Sequence, residues 1–190
     1  MAAMSKKRKH GRFVVRQLSS EADLQACLAL ERDYATDHVW QMNIEDSTDA
    51  LGGIGVRFRV VRLPRMVQVA YPRTREELAR AWQQRECFLV AEAEGVILGY
   101  VNMRLVEGRA WVRDLVVGAP FRRRRIGSAL LEQATRWALL HHAGHMTLEM
   151  QTKNYPAIQF AQGHGFTFCG FDDRHYDNGD IAVFFDKRLG

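Results

Sequence analysis

Residues 121–140, FRRRRIGSALLEQATRWALL, place four consecutive arginines directly before an amphipathic segment. Apolar residues recur in that segment at helical spacing, which predicts a helix that runs to about His142. Cations are disfavoured in the first turn of a helix, because its N–H groups already carry partial positive charge. The arginine run therefore indicates that an anion binds at this helix end.

The residues before the arginines complete the layout of a phosphate-binding turn. The strand LVV (115–117) is followed by GAPF (118–121), the arginines and the helix. Unsatisfied N–H groups at a helix N-terminus suit a pyrophosphate, and Gly127 lets the backbone approach it closely. Arg122 or Arg124 could also reach a separate phosphate through charge-assisted hydrogen bonds. A solvated arginine face is the plainer interpretation, and the strand–loop–glycine–helix order disfavours it.

Three short strands in quick succession precede this turn, and a fourth follows the long helix. The hairpin dipeptides Glu94-Gly95 and Glu107-Gly108 join the first three into an antiparallel meander. The predicted strands are CFLVAEA (87–93), VILGYVNMRLV (96–106), RAWVRDLVV (109–117) and MTLEMQ (146–151). The predicted fold class is α/β, one domain over residues 13–190 with a mixed, mostly antiparallel sheet flanked by helices.

The elements before residue 87 and after residue 140 are predicted from helix-capping residues and from prolines and glycines that end helices or strands. Ser19 or Ser20 caps one helix, a capping box of Thr74 and Glu77 begins another, and Pro64 ends a strand or marks an edge. The elements predicted before residue 87 are a strand at 13–18, a helix near 20–35, an irregular segment at 36–55, a strand at 56–66 and a helix from residue 74. After residue 140, Gly144 stops the long helix, and a helix at 156–165 precedes strands at 166–171 and 181–189.

The composition is typical of a soluble globular protein, with 190 residues of which 47% are hydrophobic and 26% charged. No apolar run approaches the roughly 18 residues of a membrane span, and the basic start lacks the apolar segment of a secretory signal. Cys27, Cys87 and Cys169 lie far apart and fit a reducing cytosol, so a cytoplasmic protein is expected. Four histidines near the end of the long helix are expected to be solvated rather than bound to metal: His141, His142, His145 and His164.

The net charge of +5 resides in the first twelve residues. Residues 1–12 are predicted to be a disordered basic tail, and subtracting their five cations leaves the remaining chain near neutral. A neutral body disfavours a broad nucleic-acid-binding face, so no nucleic-acid partner is expected.

The arginine stretch resembles the cofactor signature of the GNAT family of acetyl-CoA-dependent N-acetyltransferases. That signature is a basic residue or Gln, two variable residues, Gly or Ala, one more residue, and Gly or Ala. It falls here on Arg122, Arg125 and Gly127, with Arg125 in place of the usual first glycine.

The resemblance extends through the second half of the chain. Residues 148–166, LEMQTKNYPAIQFAQGHGF, place Asn154 and Phe160 ahead of a Gly-Phe pair, much as in the family. Within the family, VRDLVV, LEMQTKN, GFDDRHY and IAVFF look most like the streptothricin acetyltransferase subgroup. The resemblance spans Phe13 to Leu189.

Family membership implies a fold whose central strands part at a bulge and hold acetyl-CoA as cosubstrate between them. It implies that backbone N–H groups of the strand ending LVV stabilise the oxyanion, in a direct transfer with no covalent enzyme intermediate and no metal. The residues that it assigns to the cosubstrate are Leu115, Val116, Val117, Arg122, Arg123, Arg124, Arg125, Ile126, Gly127, Ser128, Asn154 and Phe160.

Two carboxylates are candidates for the base that deprotonates an amine. Glu149, late in its strand, is the first choice. Asp114 is the second, with pairing to Arg113 or Arg109 as its structural alternative.

The acid that protonates the leaving thiolate is less clearly marked, because Ala161 stands where many family members have tyrosine. Tyr176 or Tyr155 takes that role, or the thiolate leaves without a dedicated acid.

The expected acceptor is a small-molecule primary amine, such as the polycation streptothricin. The acidic rim formed by Asp37, Glu45, Asp46 and Asp49, beside Trp40, suits a cationic compound. The alternatives are a protein lysine or N-terminal amine, which needs an open peptide groove, and a non-catalytic acetyl-CoA sensor. A monomer or homodimer without membrane contact is expected.

Overall fold

The computed structural model describes residues 13–46, 53–84 and 87–190. The predicted basic tail and Asp49 of the predicted acidic rim lie outside the described residues. The elements in chain order are β1 (Val14–Gln17), α1 (Glu21–Ala29), β2 (Tyr34–Asp46), β3 (Ile54–Val69), α2 (Arg75–Gln83), β4 (Cys87–Ala93), β5 (Val96–Val106), β6 (Arg109–Val117), a 3-10 turn (Ala119–Phe121), α3 (Ile126–Leu140), β7 (His145–Gln151), α4 (Tyr155–Gly163), β8 (Thr167–Asp172) and β9 (Ala182–Arg188).

Seven of the described strands form one sheet, in the order β1-β4-β5-β6-β7-β9-β8. β6 and β7 run parallel, and the other neighbouring pairs in this sheet are antiparallel. A parallel pair needs a long crossover connection, and α3 supplies it. The predicted α/β class, with a mixed, mostly antiparallel sheet flanked by helices, is confirmed.

Two tight hairpins build the meander of β4, β5 and β6. Glu94 and Gly95 have φ angles of 52° and 78°, and Glu107 and Gly108 have φ angles of 49° and 75°. Positive φ at both residues of a two-residue turn matches the right-handed twist of the strands that it joins. The two predicted Glu-Gly turns are therefore confirmed.

Helices cover both faces of the sheet, and a bulge in β6 decides which face each β6 residue meets. Leu130 of α3 shares one core with Val112 of β6, whereas Leu24 of α1 and Leu78 of α2 share the other core with Val116. The pairing of β6 with β5 skips Arg113, which shifts the alternation of β6 by one residue. Beyond Arg113, the even-numbered residues of β6 therefore face α1 and α2.

The caps predicted for the first two helices are confirmed. Ser20 accepts a hydrogen bond from the N–H of Asp23 and caps α1. Thr74 accepts a hydrogen bond from the N–H of Glu77, whose side chain accepts one from the Thr74 N–H, so the capping box of α2 is complete.

The irregular segment predicted at 36–55 is wrong over most of its length. β2 occupies much of it and pairs with β3 as a separate two-stranded ribbon. β3 carries a bulge between Arg62 and Val67, and Pro64 lies inside it, where its missing N–H costs no ladder hydrogen bond. The strand therefore continues through the proline instead of ending there.

Two predicted helix ends also need correction. α1 stops at Ala29 instead of continuing to residue 35, because Tyr34 is drawn into β2, is buried, and donates a 2.8 Å hydrogen bond to Gln151 Oε1. The left-handed residue after α3 is His142, at φ 58°, rather than Gly144.

Candidate active site

The two central strands of the sheet separate halfway along their length. β6 and β7 pair from Arg109 opposite His145 to Val112 opposite Leu148, and the pairing ends there. Both strands continue, β6 to Val117 and β7 to Gln151, so a fork opens between them beyond the bulge. The splayed central strands that the family resemblance implies are present. The β6 edge that faces the fork is no longer used by β7.

A cleft of about 590 Å³ occupies the fork. Its helix end is formed by the last residues of β6 and the turn into α3, residues 115–128. Its carboxylate end is formed by Tyr71, Arg73, Glu149 and Tyr176. The sequence-predicted residues that line the cleft are Leu115, Val116, Val117, Arg122, Arg123, Arg125, Ile126, Gly127, Ser128, Glu149, Asn154, Phe160 and Tyr176. Arg124 and Asp114 are not among its lining residues.

The turn into α3 has an unusual backbone conformation. Arg123 and Arg125 both have φ of 63°, in the left-handed region that side chains other than glycine rarely adopt. Arg125 is also the N-cap of α3, and no side chain caps that end. The N–H groups of the first turn are therefore free of side-chain caps at the point where Ile126, Gly127 and Ser128 line the cleft.

The guanidinium of Arg122 bonds to three backbone carbonyls. Its Nε donates to the Val117 carbonyl at 2.9 Å, and its Nη2 donates to the Asp33 and Glu31 carbonyls at 2.8 and 3.3 Å. Arg122 therefore ties the turn to the segment between α1 and β2. The exposed side chains of Arg123 and Arg125 are the cations of the run that remain available at the cleft.

The start of α4 closes the helix end of the cleft from the other side. Asn154 caps α4 by accepting from the N–H of Ala157 at 3.2 Å. A Cβ built on Gly127 would lie 3.5 Å from the Phe160 ring, an ordinary contact distance. His164 links α4 to α3 through a 3.0 Å hydrogen bond with the Ser128 hydroxyl.

Arg73 holds the two strands of the fork at the carboxylate end. Its guanidinium donates to the Arg113 carbonyl on β6 and to Glu149 on β7, and it lies 3.9 Å from the Asp114 carboxylate. Its side chain is only 8% exposed. Burial alone would lower the pKa of Arg73, but the charges of Asp114 and Glu149 outweigh it, so its pKa is raised and it stays charged.

Glu149 is a buried carboxylate that contacts Arg73 and His175. Its side chain is 6% exposed, and His175 Nε2 lies 2.7 Å from the same Oε1 that accepts from Arg73. Burial raises the pKa of Glu149, but the His175 hydrogen bond and the Arg73 charge outweigh it, leaving a pKa below the ordinary range. Glu149 is therefore ionised at neutral pH.

Asp114 lies behind the cleft because the bulge turns it toward α2. It accepts from the Tyr71 hydroxyl at 2.6 Å and from Asn102 Nδ2 at 3.1 Å, and its side chain is 4% exposed. Arg73 is its cationic neighbour, instead of the Arg113 or Arg109 side chains considered from the sequence. The structure thus gives Asp114 a supporting position and leaves Glu149 as the carboxylate of the cleft.

Of the predicted acidic rim, the described side chains of Asp37 and Glu45 do not line the cleft. Asp37 pairs with His38 at 2.7 Å, and Glu45 pairs with Arg57 at 3.2 Å, both on the ribbon of β2 and β3. Trp40 packs against the rings of Phe58, Phe168 and Phe185 and belongs to the core rather than to an acceptor pocket.

Residues 59–166, more than half of the chain, match the model of the acetyltransferase (GNAT) family. This chain belongs to that family. Streptothricin acetyltransferase from Streptomyces lavendulae is 33% identical over 91 residues, which are 47% of this chain and 48% of that protein. The chain thus spans about half the length of the curated relatives that it matches first.

Solved structures extend the likeness over nearly the whole chain. The crystal structure of nourseothricin acetyltransferase superposes with a TM-score of 0.75 at 26% identity, covering 94% of this chain and 99% of that one. A Bacillus anthracis str. Ames protein, solved in complex with acetyl coenzyme A, gives a TM-score of 0.69 at 19% identity, covers 96% and 100% of the two chains, and shows the fold alone. The resemblance to the GNAT family and its streptothricin-like members is confirmed.

The two departures from the family pattern have structural counterparts here. Arg125 adopts the left-handed conformation in which a glycine would be unstrained. Ala161, at the family's tyrosine position, is fully buried in the core. Tyr155 stacks on His38 of β2 and is not among the residues that line the cleft, whereas Tyr176 lines it.

Sequence reasoning missed Arg73 and His175. Arg73 stands immediately before the cap of α2 without any pattern that marks it, and only the fold brings it to the fork. His175 lies within GFDDRHY, which the family resemblance includes, but nothing in that motif indicates its contact with Glu149.

Within residues 13–46, 53–84 and 87–190, no group of three or more His, Cys, Asp or Glu side chains is arranged to hold a metal ion. His141 bonds to the Trp137 carbonyl and His145 to Asp186. No helix in the described part of the chain has the length and apolarity needed to cross a membrane.

Proposed function

We propose that this protein transfers the acetyl group of acetyl-CoA directly to a primary amine. One observation carries the proposal: the fork between β6 and β7 runs without interruption into the uncapped N-terminus of α3. A single cleft therefore joins an anion site to a buried carboxylate, which suits a cosubstrate with a phosphate-bearing end and a reactive end.

The residues at the helix end suit coenzyme A. Three N–H groups of the first turn of α3, together with the exposed Arg123 and Arg125, offer hydrogen bonds and positive charge to a pyrophosphate. Leu115 and Val117 of β6 and Phe160 of α4 supply apolar walls and an open strand edge for the pantetheine chain. The acetyl coenzyme A complex of the Bacillus anthracis protein supports this use of the fold.

The carboxylate end suits proton removal from an amine. A protonated acceptor gives one N–H proton to Glu149, directly or through a water, and the neutral nitrogen attacks the thioester carbonyl. N–H groups on the fork-facing edge of β6 stabilise the oxyanion that forms. The C–S bond then breaks, the thiolate takes a proton from Tyr176, and the nitrogen gives its second proton to the resulting tyrosinate, which restores Tyr176 and leaves a neutral amide. Burial, followed by the charge of Glu149, raises the pKa of Tyr176, so its hydroxyl is protonated and can donate.

We propose a small polycationic amine, such as streptothricin, as the acceptor. The similarity to the Streptomyces lavendulae and Bacillus subtilis streptothricin acetyltransferases supports this choice. Tyr34, Tyr71 and Tyr176 line the cleft around Glu149, and aromatic rings beside a carboxylate are a suitable environment for an ammonium group. A protein lysine, an N-terminal amine and a non-catalytic sensor are the competing outcomes of the test.

The test is release of free thiol from acetyl-CoA in the presence of single amines. The panel contains streptothricin, polyamines, aminoglycosides and short peptides with a free N-terminus or a lysine. Glu149→Gln is expected to lower kcat by about 100-fold or more while coenzyme A binding persists. Glu132→Gln is the matched control, because Glu132 is exposed on α3 and pairs with Arg136 on the same helix.

Turnover with streptothricin or polyamines supports the proposal. Turnover with peptides alone would show that the acceptor is a protein lysine or N-terminal amine instead of a small polycationic amine. Tight coenzyme A binding without turnover on any amine favours the sensor. Equal activity of Glu149→Gln and Glu132→Gln removes Glu149 from the chemistry.

A further inference from the structure

His175 is the side chain that connects the buried Glu149 carboxylate to the protein surface. It lies in the connection between β8 and β9, with its Nε2 2.7 Å from Glu149 Oε1 and its Nδ1 3.6 Å from Asp172 Oδ2. Its side chain is 30% exposed, compared with 6% for Glu149. Edge-on packing against Phe184 and Tyr176, at ring distances of 5.6 and 4.9 Å, fixes the orientation of the imidazole.

A proton delivered to Glu149 needs a route out before the next catalytic cycle. Arg73, the other partner of Oε1, is a permanent cation and cannot accept a proton. Tyr176 is buried, and its raised pKa keeps it protonated. The imidazole can accept at one ring nitrogen and release at the other, and its two nitrogens face Glu149 and the half-exposed Asp172.

We infer that His175 relays the acceptor's proton from Glu149 to solvent. This inference rests on the proposed function. In the relay, an N–H bond of the acceptor ammonium breaks as an O–H bond forms on Glu149. That O–H bond breaks as an N–H bond forms at Nε2 of the neutral imidazole. The ring accepts in its Nδ1–H tautomer, and its Nδ1 proton then leaves to water beside Asp172, which gives an Nε2–H imidazole and an ionised carboxylate. Exchange with water returns the ring proton to Nδ1 before the next turnover.

The groups that face His175 set the pH range in which the relay works. They are Glu149 on β7, Asp172 on β8, Arg73 before α2 and the neighbouring Tyr176. The hydrogen bond with Glu149 raises the pKa of His175 above its ordinary value, against the opposing effect of burial. Only the neutral imidazole can accept a proton. Turnover is therefore expected to rise as the pH increases through this raised pKa and to fall below it.

The decisive experiment compares His175→Gln and His175→Ala with the wild-type chain in the thiol-release assay. His145→Gln is the matched control, because His145 also bonds a carboxylate, Asp186, at 2.7 Å, but lies at the paired end of β7 outside the cleft. His175→Gln retains a hydrogen-bond donor and is expected to lower kcat by about 100-fold, with the KM for acetyl-CoA unchanged. Added imidazole is expected to restore turnover in His175→Ala and leave His145→Gln unaffected.

A positioning role alone predicts a different pattern. If His175 only orients Glu149, His175→Gln keeps wild-type kcat, or imidazole fails to rescue His175→Ala and the acid limb of the kcat profile stays in place. Either result overturns the relay. A wild-type chain that releases no thiol with any amine overturns the proposed function, and the relay with it. Loss of turnover in His175→Gln beside an active wild type, with rescue, supports both.

Discussion

The helix end of the cleft is built from one continuous stretch, whereas the carboxylate end is assembled from three separate parts of the chain. Residues 115–128 form a strand end, a turn and a first helical turn in sequence order. Arg73 precedes α2, Glu149 lies on β7, and His175 and Tyr176 lie between β8 and β9. A local motif thus provides the anion site, and the tertiary fold provides the chemistry.

The two ends also differ in how their charges are held. Arg123 and Arg125 are exposed and face solvent at the turn, so they remain available to a ligand. At the carboxylate end, Arg73, Asp114 and Glu149 are buried and satisfy one another. Substitutions at the helix end are therefore expected to change ligand affinity, and substitutions at the carboxylate end are expected to change stability as well as rate.

The largest effect is expected at Arg73. Arg73→Met leaves the buried carboxylates of Asp114 and Glu149 without the arginine that neutralises them. Removing one partner of a buried ion pair costs about 3–5 kcal/mol, so a loss of that size in the free energy of unfolding is expected in urea denaturation. The control Arg75→Met removes an exposed arginine at the start of α2 and should change stability by less than about 0.5 kcal/mol. Equal losses of unfolding free energy in both variants would contradict the role of Arg73 in holding β6 and β7 together.

Gly127→Asp separates binding from stability at the helix end. A carboxylate in the first turn of α3 complements the helix dipole by about 0.3–1 kcal/mol, and the Cβ meets Phe160 at an ordinary 3.5 Å. The same carboxylate opposes a pyrophosphate, and like charges in contact cost several kcal/mol, so coenzyme A affinity should fall by about 100-fold or more in calorimetry. Gly144→Asp, at an open site, is the control. Undiminished affinity of Gly127→Asp would place the phosphates elsewhere.

Gly99→Ala probes the strand behind the fork. A Cβ at Gly99 would lie 2.5 Å from the Val116 carbonyl oxygen and 3.1 Å from Val117 Cα, both in the backbone of β6. Overpacking of this kind costs about 1–3 kcal/mol and is expected to displace the β6 edge, lowering thermal stability and coenzyme A affinity together. Gly163→Ala, with no neighbour within 4 Å, is the control. A stable variant with normal affinity would mean that β6 adjusts freely.

The smallest effect is expected at the cap of α2, which β4 and β5 separate from β6 along the chain. Thr74→Ala removes the hydrogen bond that the Thr74 hydroxyl accepts from the Glu77 N–H, and should cost about 1 kcal/mol of unfolding free energy. Thr74→Ser retains the hydroxyl and should remain close to wild type. A Ser variant as unstable as the Ala variant would show that the methyl group, and not the cap, matters.

The features predicted correctly from the sequence are those that neighbouring residues determine. The Glu-Gly turns, the Thr74 capping box and the arginine turn into α3 each depend on residues a few positions apart, so their pattern is visible in the printed chain. The family resemblance supplied the splayed strands, which the register of β6 and β7 confirms.

The features that were missed depend on contacts between distant residues. The sequence of β2 shows no clear polar–apolar alternation, so it does not predict a strand. The strand is held in place by its pairing with β3 and by the packing of Trp40 against distant phenylalanines. The position of Asp114 follows from a bulge at Arg113 that no local pattern marks. The contact between His175 and Glu149 joins residues 26 positions apart through the sheet order.

The central claim is that one cleft in the fork holds the cosubstrate, with its phosphates at the start of α3. The most direct measurement is a titration of the isotopically labelled protein with coenzyme A, followed through its backbone amide signals by NMR. We predict saturable, concerted shifts of Leu115, Val117, Ile126, Gly127 and Ser128, which line one continuous surface. Unchanged signals at these residues at millimolar coenzyme A, or shifts confined to the arginines of β3, would contradict it.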